Sequence, residues 1–215
     1  MSRLHTLVAT VDDVADHFRA AQAEKVEIPL EVIEGLPDVV MIKNRDQRRI
    51  GNMTWGFPRH SRQERERGDP PGRIGLVANL SNPLWDKIVV QPRQRCIIAM
   101  THFANPDGPQ GEKTRTWFSL DGERIIGWAG IWRMTDDGPV CAGLTMDANE
   151  AVMPTNDRMP VILAPSEYDR WLGGTIQDVI GFQFRAPIAV GRMVVEATNE
   201  RWRSGGLPTR QGALL

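Results

Sequence analysis

The sequence predicts an α+β fold: a single domain over residues 1–215, with a curved, mainly antiparallel β-sheet or barrel-like core flanked by short helices. Three observations predict it. Apolar runs of strand length recur from residue 39 to residue 195. Helical periodicity is confined to short segments near the N-terminus and beyond residue 165. The 215 residues are 41% hydrophobic, enough for one sizeable core. No internal repeat is visible, and the breaks at 106–114 and 136–139 are loop-sized.

Each element has a local reason. Thr10 caps a helix expected over 11–22, with Val11, Val14, Ala15 and Phe18 on one face and Asp12 and Asp13 in the favourable first turn. Val39 to Ile42 is an apolar run, and Ile50 to Trp55 is a candidate strand. Arg59 to Gly72 is low in apolar residues and carries Pro70-Pro71, so a surface loop is expected. Cys96 to Met100 reads as a buried strand. Arg115 to Leu120 and Arg124 to Trp132 flank Asp121-Gly122, a pair suited to a tight turn, so a β-hairpin is expected. Trp128 and Trp132 fall on one face of that strand. Val140 to Thr145 is a further strand, Ser166 to Trp171 and Thr175 to Ile180 are short helices, and Ile188 to Val195 closes the strand set.

Composition narrows the function classes. With 26 basic and 27 acidic residues the net charge is −1, so any nucleic-acid contact must come from local clustering. Cys96 and Cys141 both lie in apolar runs and read as buried, reduced thiols. His5, His17 and His102 have no Cys or carboxylate at ligand spacing, so no metal and no other cofactor is expected. There is neither a signal-peptide core nor an apolar stretch of about 20 residues, which points to the bacterial or phage-infected cytoplasm.

Several motifs occur in a telling order. Asn156-Asp157-Arg158-Met159-Pro160-Val161-Ile162-Leu163 resembles H-D-R-M-P-V-I-L, a signature of the SOS-response-associated peptidase (SRAP) family. Met1, Thr6 and Leu7 fit that family's M-C-G-R-Y-T-L start. Trp55-Gly56-Phe57-Pro58 resembles W-G-L-x-P, Arg95-Cys96-Ile97-Ile98 resembles R-C-L-I, and Ala129-Gly130-Ile131-Trp132 resembles A-G-L-W. Thr145 to Asn149 is similar to T-T-x-A-N. The resemblance spans nearly the whole chain.

That resemblance implies chemistry on abasic sites in single-stranded DNA. Family proteins condense an N-terminal Cys amine with the sugar aldehyde and close a thiazolidine with the thiol. A Glu and a His assist proton transfer, and an Asn positions the sugar. The peptidase activity implied is removal of the initiator Met. Here the Cys position is Ser2, the Glu position Asn105, the His position Asn156 and the Asn position Asn79. Ser2 keeps the amine but not the thiol. Asn105 and Asn156 can hydrogen-bond but cannot carry a proton. Each lost acid–base group corresponds to roughly 10²–10⁴ in rate. The family's early Arg is Leu4 and the Arg of its N-A-R is Ser81.

Residues 43–73 hold nine basic and four acidic residues, an excess of five. Arg48, Arg49 and Arg59, with Trp55 and His60 as stacking groups, are the expected nucleic-acid contacts beside the cleft. A solvated charged face explains the same residues. Three functions follow as alternatives. The first is a binder of single-stranded or abasic DNA, impaired as a covalent crosslinker. The second is an active abasic-site sensor that forms an imine through the Ser2 amine, with His5 or His102 as helpers. The third is a structural or interaction protein without a DNA role.

Overall fold

Pro37–Asn44 and Gln47–Trp55 form an antiparallel hairpin around Arg45 and Asp46. Arg45 sits in the left-handed region at φ 54°. The computed structural model, which describes residues 4–23, 25–59 and 62–208, extends this hairpin into a closed ring. Pro37–Asn44 pairs with Arg95–Met100, which pairs with Ile126–Thr135, which pairs with Gly138–Asp147. The ring closes where Val140 and Cys141 run parallel to Thr54 and Trp55. The expected barrel-like core is therefore present. Closure removes free strand edges from the centre of the molecule.

A second, five-stranded sheet lies beside the barrel, in the order Met193–Arg201, Thr114–Leu120, His102–Asp107, Leu4–Thr6, Val32–Ile33, and all its pairings are antiparallel. The chain passes from barrel to sheet at Thr101, between the strands Arg95–Met100 and His102–Asp107. One core of buried side chains joins the two layers, from Val14 and Phe18 through Trp55, Ile98 and Trp128 to Phe103 and Phe118.

Arg95–Met100 is buried at every position, matching its unbroken apolar reading. Its outer side is covered by the Tyr168–Gly173 helix, whose Trp171 indole donates to the Cys96 carbonyl at 2.7 Å. Arg95 is itself only 1% exposed. Its guanidinium donates to the carbonyls of Val89, Trp171 and Gly174. Burial lowers the pKa of Arg95, opposed by the charge of Asp178.

The N-terminal helix, Val11–Phe18, is shorter than the expected 11–22. Thr10 and Asp13 form the capping box, and the helix stops at Arg19, which adopts φ 49° and returns its N–H to Ala15 and Asp16. Ala21–Gln22 then pairs in parallel with Arg49 and Ile50 of the strand Gln47–Trp55. Thr10→Ala should lower stability by about 1 kcal/mol. A thermal or denaturant melt checks this, and no change would show the cap to be redundant.

The expected hairpin across Asp121-Gly122 does not form. Thr114–Leu120 pairs within the five-stranded sheet, whereas Ile126–Thr135 belongs to the barrel. The turn, with Gly122 at φ 72°, carries the chain between layers. The hairpin partner of Ile126–Thr135 is Gly138–Asp147. The last strand is Met193–Arg201 rather than 188–195, because Val190–Arg192 turns as a 3₁₀ segment. The expected loop over 59–72 is also more ordered. Phe57–Arg59 pairs with Gly72–Ile74, and Arg62–Arg67 is a short helix.

Candidate functional site

Asn105 comes from the strand His102–Asp107, opposite Thr116. It is fully buried, and its Nδ2 donates to Thr155 Oγ1 at 3.0 Å. Thr155 Oγ1 in turn donates a hydrogen bond to the Val152 carbonyl at 3.0 Å. Asn105 Oδ1 has no hydrogen-bond partner. The segment 149–156 is wound tightly by bonds from Val152 and Met153 N–H to Asn149 and from Thr155 and Asn156 N–H to Val152. Asn156 follows Thr155 directly, and its Oδ1 accepts from the Arg158 N–H at 3.1 Å. Asn105 and the 155–158 segment thus meet, though 50 residues separate Asn105 from Thr155.

Arg158 ties this segment to a third one. Its guanidinium reaches Asp147 Oδ1, the Thr145 carbonyl and, at 3.0 Å, the Ala78 carbonyl. Asn79 is the next residue, exposed, with Oδ1 accepting from the Ser81 N–H at 2.8 Å. Gln183, which sequence reasoning missed, braces the same corner. Its buried amide bonds Leu80 N–H and the carbonyls of Val77 and Thr145. A glutamine at the end of an apolar helical run is the only sequence signal for it.

The strand Leu4–Thr6 runs beside the strand that carries Asn105. Leu4 pairs with Ala104 and His5 with Phe103. Ser2 lies outside the described residues, as does His60. Asn79, Asn105 and Asn156 are grouped around Arg158 and Thr155.

The expected nucleic-acid contacts divide differently. Trp55 is 0% exposed, and its indole donates to the Gly75 carbonyl at 2.8 Å. A buried indole offers no open face, so Trp55 is corrected to a core residue bordering the site. Arg48 donates to the Phe18 carbonyl and Asp169. Hydrogen bonds from Lys43 and Arg48 hold the Asp169 carboxyl below its ordinary pKa. Arg49 is exposed but, like Arg48, lies at the turn end of its strand, about 20 Å along the chain direction from Trp55. Arg48 lines a broad depression together with His17, Lys43 and Asp169 instead.

Arg59 does lie on the Trp55 side, in the short ladder with Gly72–Ile74. Two further arginines accompany it. Arg73 donates to the Gly56 carbonyl at 3.1 Å, and the Arg133 guanidinium stands 5.2 Å from the Phe57 ring centre. Adjacency in space, not in sequence, assembles Arg59, Arg73 and Arg133.

Cys96 and Cys141 are free and buried, and burial pushes both thiols well above their ordinary pKa. Among the described residues, no three His, Cys, Asp or Glu side chains are placed to hold a metal ion, and no helix is long and apolar enough to cross a membrane. A wide surface depression of about 810 Å³ is lined by residues that include Lys43, Arg48 and Asp169, and a pocket of about 310 Å³ is lined in part by Met146 and Met159. Asn79, Asn105 and Asn156 do not line it.

Known proteins share this arrangement of the chain. The family model described as SOS response associated peptidase (SRAP) matches residues 2–189. A solved structure of a protein from Bordetella bronchiseptica superposes with a TM-score of 0.74 at 20% identity, covering 92% of this chain and 99% of that one. One from Bacteroides thetaiotaomicron gives 0.74 at 17% identity, covering 91% of each. A phage-related protein from Bordetella bronchiseptica gives 0.64 at 16% identity, covering 92% of this chain and 94% of that one. These identities speak to fold alone. No curated protein matches the chain.

Proposed function

We propose, from the premise that this chain belongs to the SOS response associated peptidase family, that it holds abasic single-stranded DNA without the family's durable covalent cap. Membership associates the chain with the response to DNA damage. The observation that carries the rest is the meeting of Asn105 with the 155–158 segment, anchored by Arg158 beside Asn79. The geometry expected of the family's site is supported, while the groups occupying it lack acid–base capacity. Ser2 lacks the thiol that would close a stable ring.

The strand would be gripped by Arg59, Arg73 and Arg133, on the Trp55 side of the barrel. Three phosphate contacts on a single strand imply a slope of about −2 in log K against log salt, at roughly −0.7 each. Fluorescence anisotropy with a labelled single strand measures it. Arg59→Ala with Arg73→Ala should flatten the slope to about −0.7, whereas Arg49→Ala should leave it unchanged. An abasic strand incubated without reductant should yield no adduct that survives heat and denaturant. A stable adduct refutes the impaired-crosslinker reading. Absence of binding at low salt refutes the DNA reading and favours a protein-interaction role.

A further inference from the structure

The pocket of about 310 Å³ is a cavity that the site described above does not use. Its floor is made of Ile126, Met146, Met159, Ile162 and Leu163, all buried side chains, drawn from four strands. Two methionines give that floor an adaptable surface. One wall is Tyr168, whose hydroxyl is already engaged by His17 Nε2 at 2.9 Å. The volume falls at the small end of ligand sites, about 300–1,000 Å³, and suits a small metabolite.

Two partly exposed ion pairs also line the pocket, and they differ. Arg185 and Glu167 form a closed pair. The guanidinium donates to both Glu167 oxygens and to the Ile162 carbonyl, and Glu167 Oε2 also accepts the Ala164 N–H at 2.8 Å. Arg192 and Glu123 form an open pair. A single bond joins them, Nη2 to Oε1 at 3.1 Å. Among the described residues, Glu123 Oε2 and the other Arg192 guanidinium N–H groups make no further hydrogen bond. The backbone beneath this pair is fixed. Arg192 ends the Val190–Arg192 turn and its carbonyl accepts the Asp121 N–H at 2.9 Å, while Glu123 follows Gly122, whose φ of 72° turns the chain. A spare carboxylate oxygen and spare guanidinium donors are thus held side by side next to an apolar floor.

We propose that this pocket binds the zwitterion of a small α-amino acid with an aliphatic side chain. The side chain covers the methionine-lined floor. The carboxylate takes the spare donors of Arg192, whose planar fork suits it, and the ammonium donates to Glu123. Charge selects this class. The four ion-pair groups sum to zero, so a simple carboxylate or phosphate brings negative charge beside Glu123 and Glu167 with no cation left over. A simple amine meets the converse fault beside the two arginines. An uncharged apolar ligand covers the open pair and leaves its polar atoms unsatisfied. A ligand carrying both charges satisfies both halves of the pair. Asn79, Asn105 and Asn156 take no part, so the proposal stands apart from the DNA reading.

Calorimetric titration of the full chain tests it with three probes that share one side chain: L-leucine, isocaproate with the carboxylate alone, and isoamylamine with the ammonium alone. Leucine should bind with a Kd of about 1 mM or tighter, and each single-charge analogue about tenfold more weakly or worse. Glu123→Gln and Arg192→Gln should each weaken leucine about tenfold, through loss of a charge-assisted contact. Ala186→Trp, at an exposed lining position, should block the pocket and abolish binding without lowering the melting temperature. A wild type that fails to bind leucine at ten times that Kd overturns the proposal. Isocaproate or isoamylamine binding as tightly as leucine refutes the zwitterion assignment. Leucine binding that persists in folded Ala186→Trp lies elsewhere and sinks the pocket as its site.

Discussion

Gly143→Ala is expected to destabilise the protein by about 3 kcal/mol or more, at the upper end of overpacking effects. A Cβ at this position would lie 2.0 Å from Cζ2 and 2.1 Å from Cε2 of Trp128. The indole cannot yield, because its Nε1 donates to the Leu144 carbonyl at 2.6 Å and its ring packs against Trp55 and His5. For a chain of 215 residues this corresponds to a fall in Tm of roughly 10 °C. Trp128→Leu removes the obstructing ring, so the double variant should lose less than the sum of the two single changes. A Gly143→Ala protein melting within 2 °C of wild type, on the order of measurement scatter, would show that the barrel wall moves freely there.

Arg95→Ala should be comparably damaging, by about 3–5 kcal/mol. Its three carbonyl partners lie at or beyond the ends of the helices Asp86–Val89 and Tyr168–Gly173, where backbone acceptors lack helical donors. Removing the guanidinium leaves these acceptors without their donor in the interior. Arg95→Lys should recover little, since an ammonium does not reproduce the planar fork. Urea denaturation at low and high salt distinguishes this role from a surface ion pair. A buried interaction is weakly screened, so the loss should persist in 1 M salt, where the Debye length is about 3 Å. If high salt abolishes the difference between wild type and variant, Arg95 acts through exposed charge and the buried clamp is refuted.

The two damaging positions were legible to different degrees. Arg95 stands out in the sequence as a charge heading an apolar run, and the motif it opens was recognisable. What it binds could not be read, because its acceptors come from residues 89, 171 and 174. Gly143 was unmarked, for its importance belongs to an indole on the neighbouring strand. The site divides the same way. Asn79, Asn105 and Asn156 were named from motif order, whereas the contacts of Thr155 with Asn105 and of Gln183 with Leu80 appear only once strands are paired. The expected basic contacts separate in space: a count over residues 43–73 cannot see that Arg48 and Arg49 lie at the turn end of their strand, away from Trp55.

The sequence by itself determined the fold class, the capped N-terminal helix, the buried central strand Arg95–Met100 and the family's motif order. Capping and strand burial are visible locally because a cap depends on groups three residues apart and a strand buried on both faces reads as an unbroken apolar run. The tertiary structure alone decided which strands pair, where the chain crosses from sheet to barrel at Gly122, and which polar groups are enclosed. Asp121-Gly122 permits a reversal with any partner, so local turn chemistry could not distinguish a hairpin from a crossover. Partner choice is set by the burial of distant faces against one another. That is why Asp38, one acid in an apolar run, finds its buried neighbour only when the layers bring His5 within 3.0 Å of it.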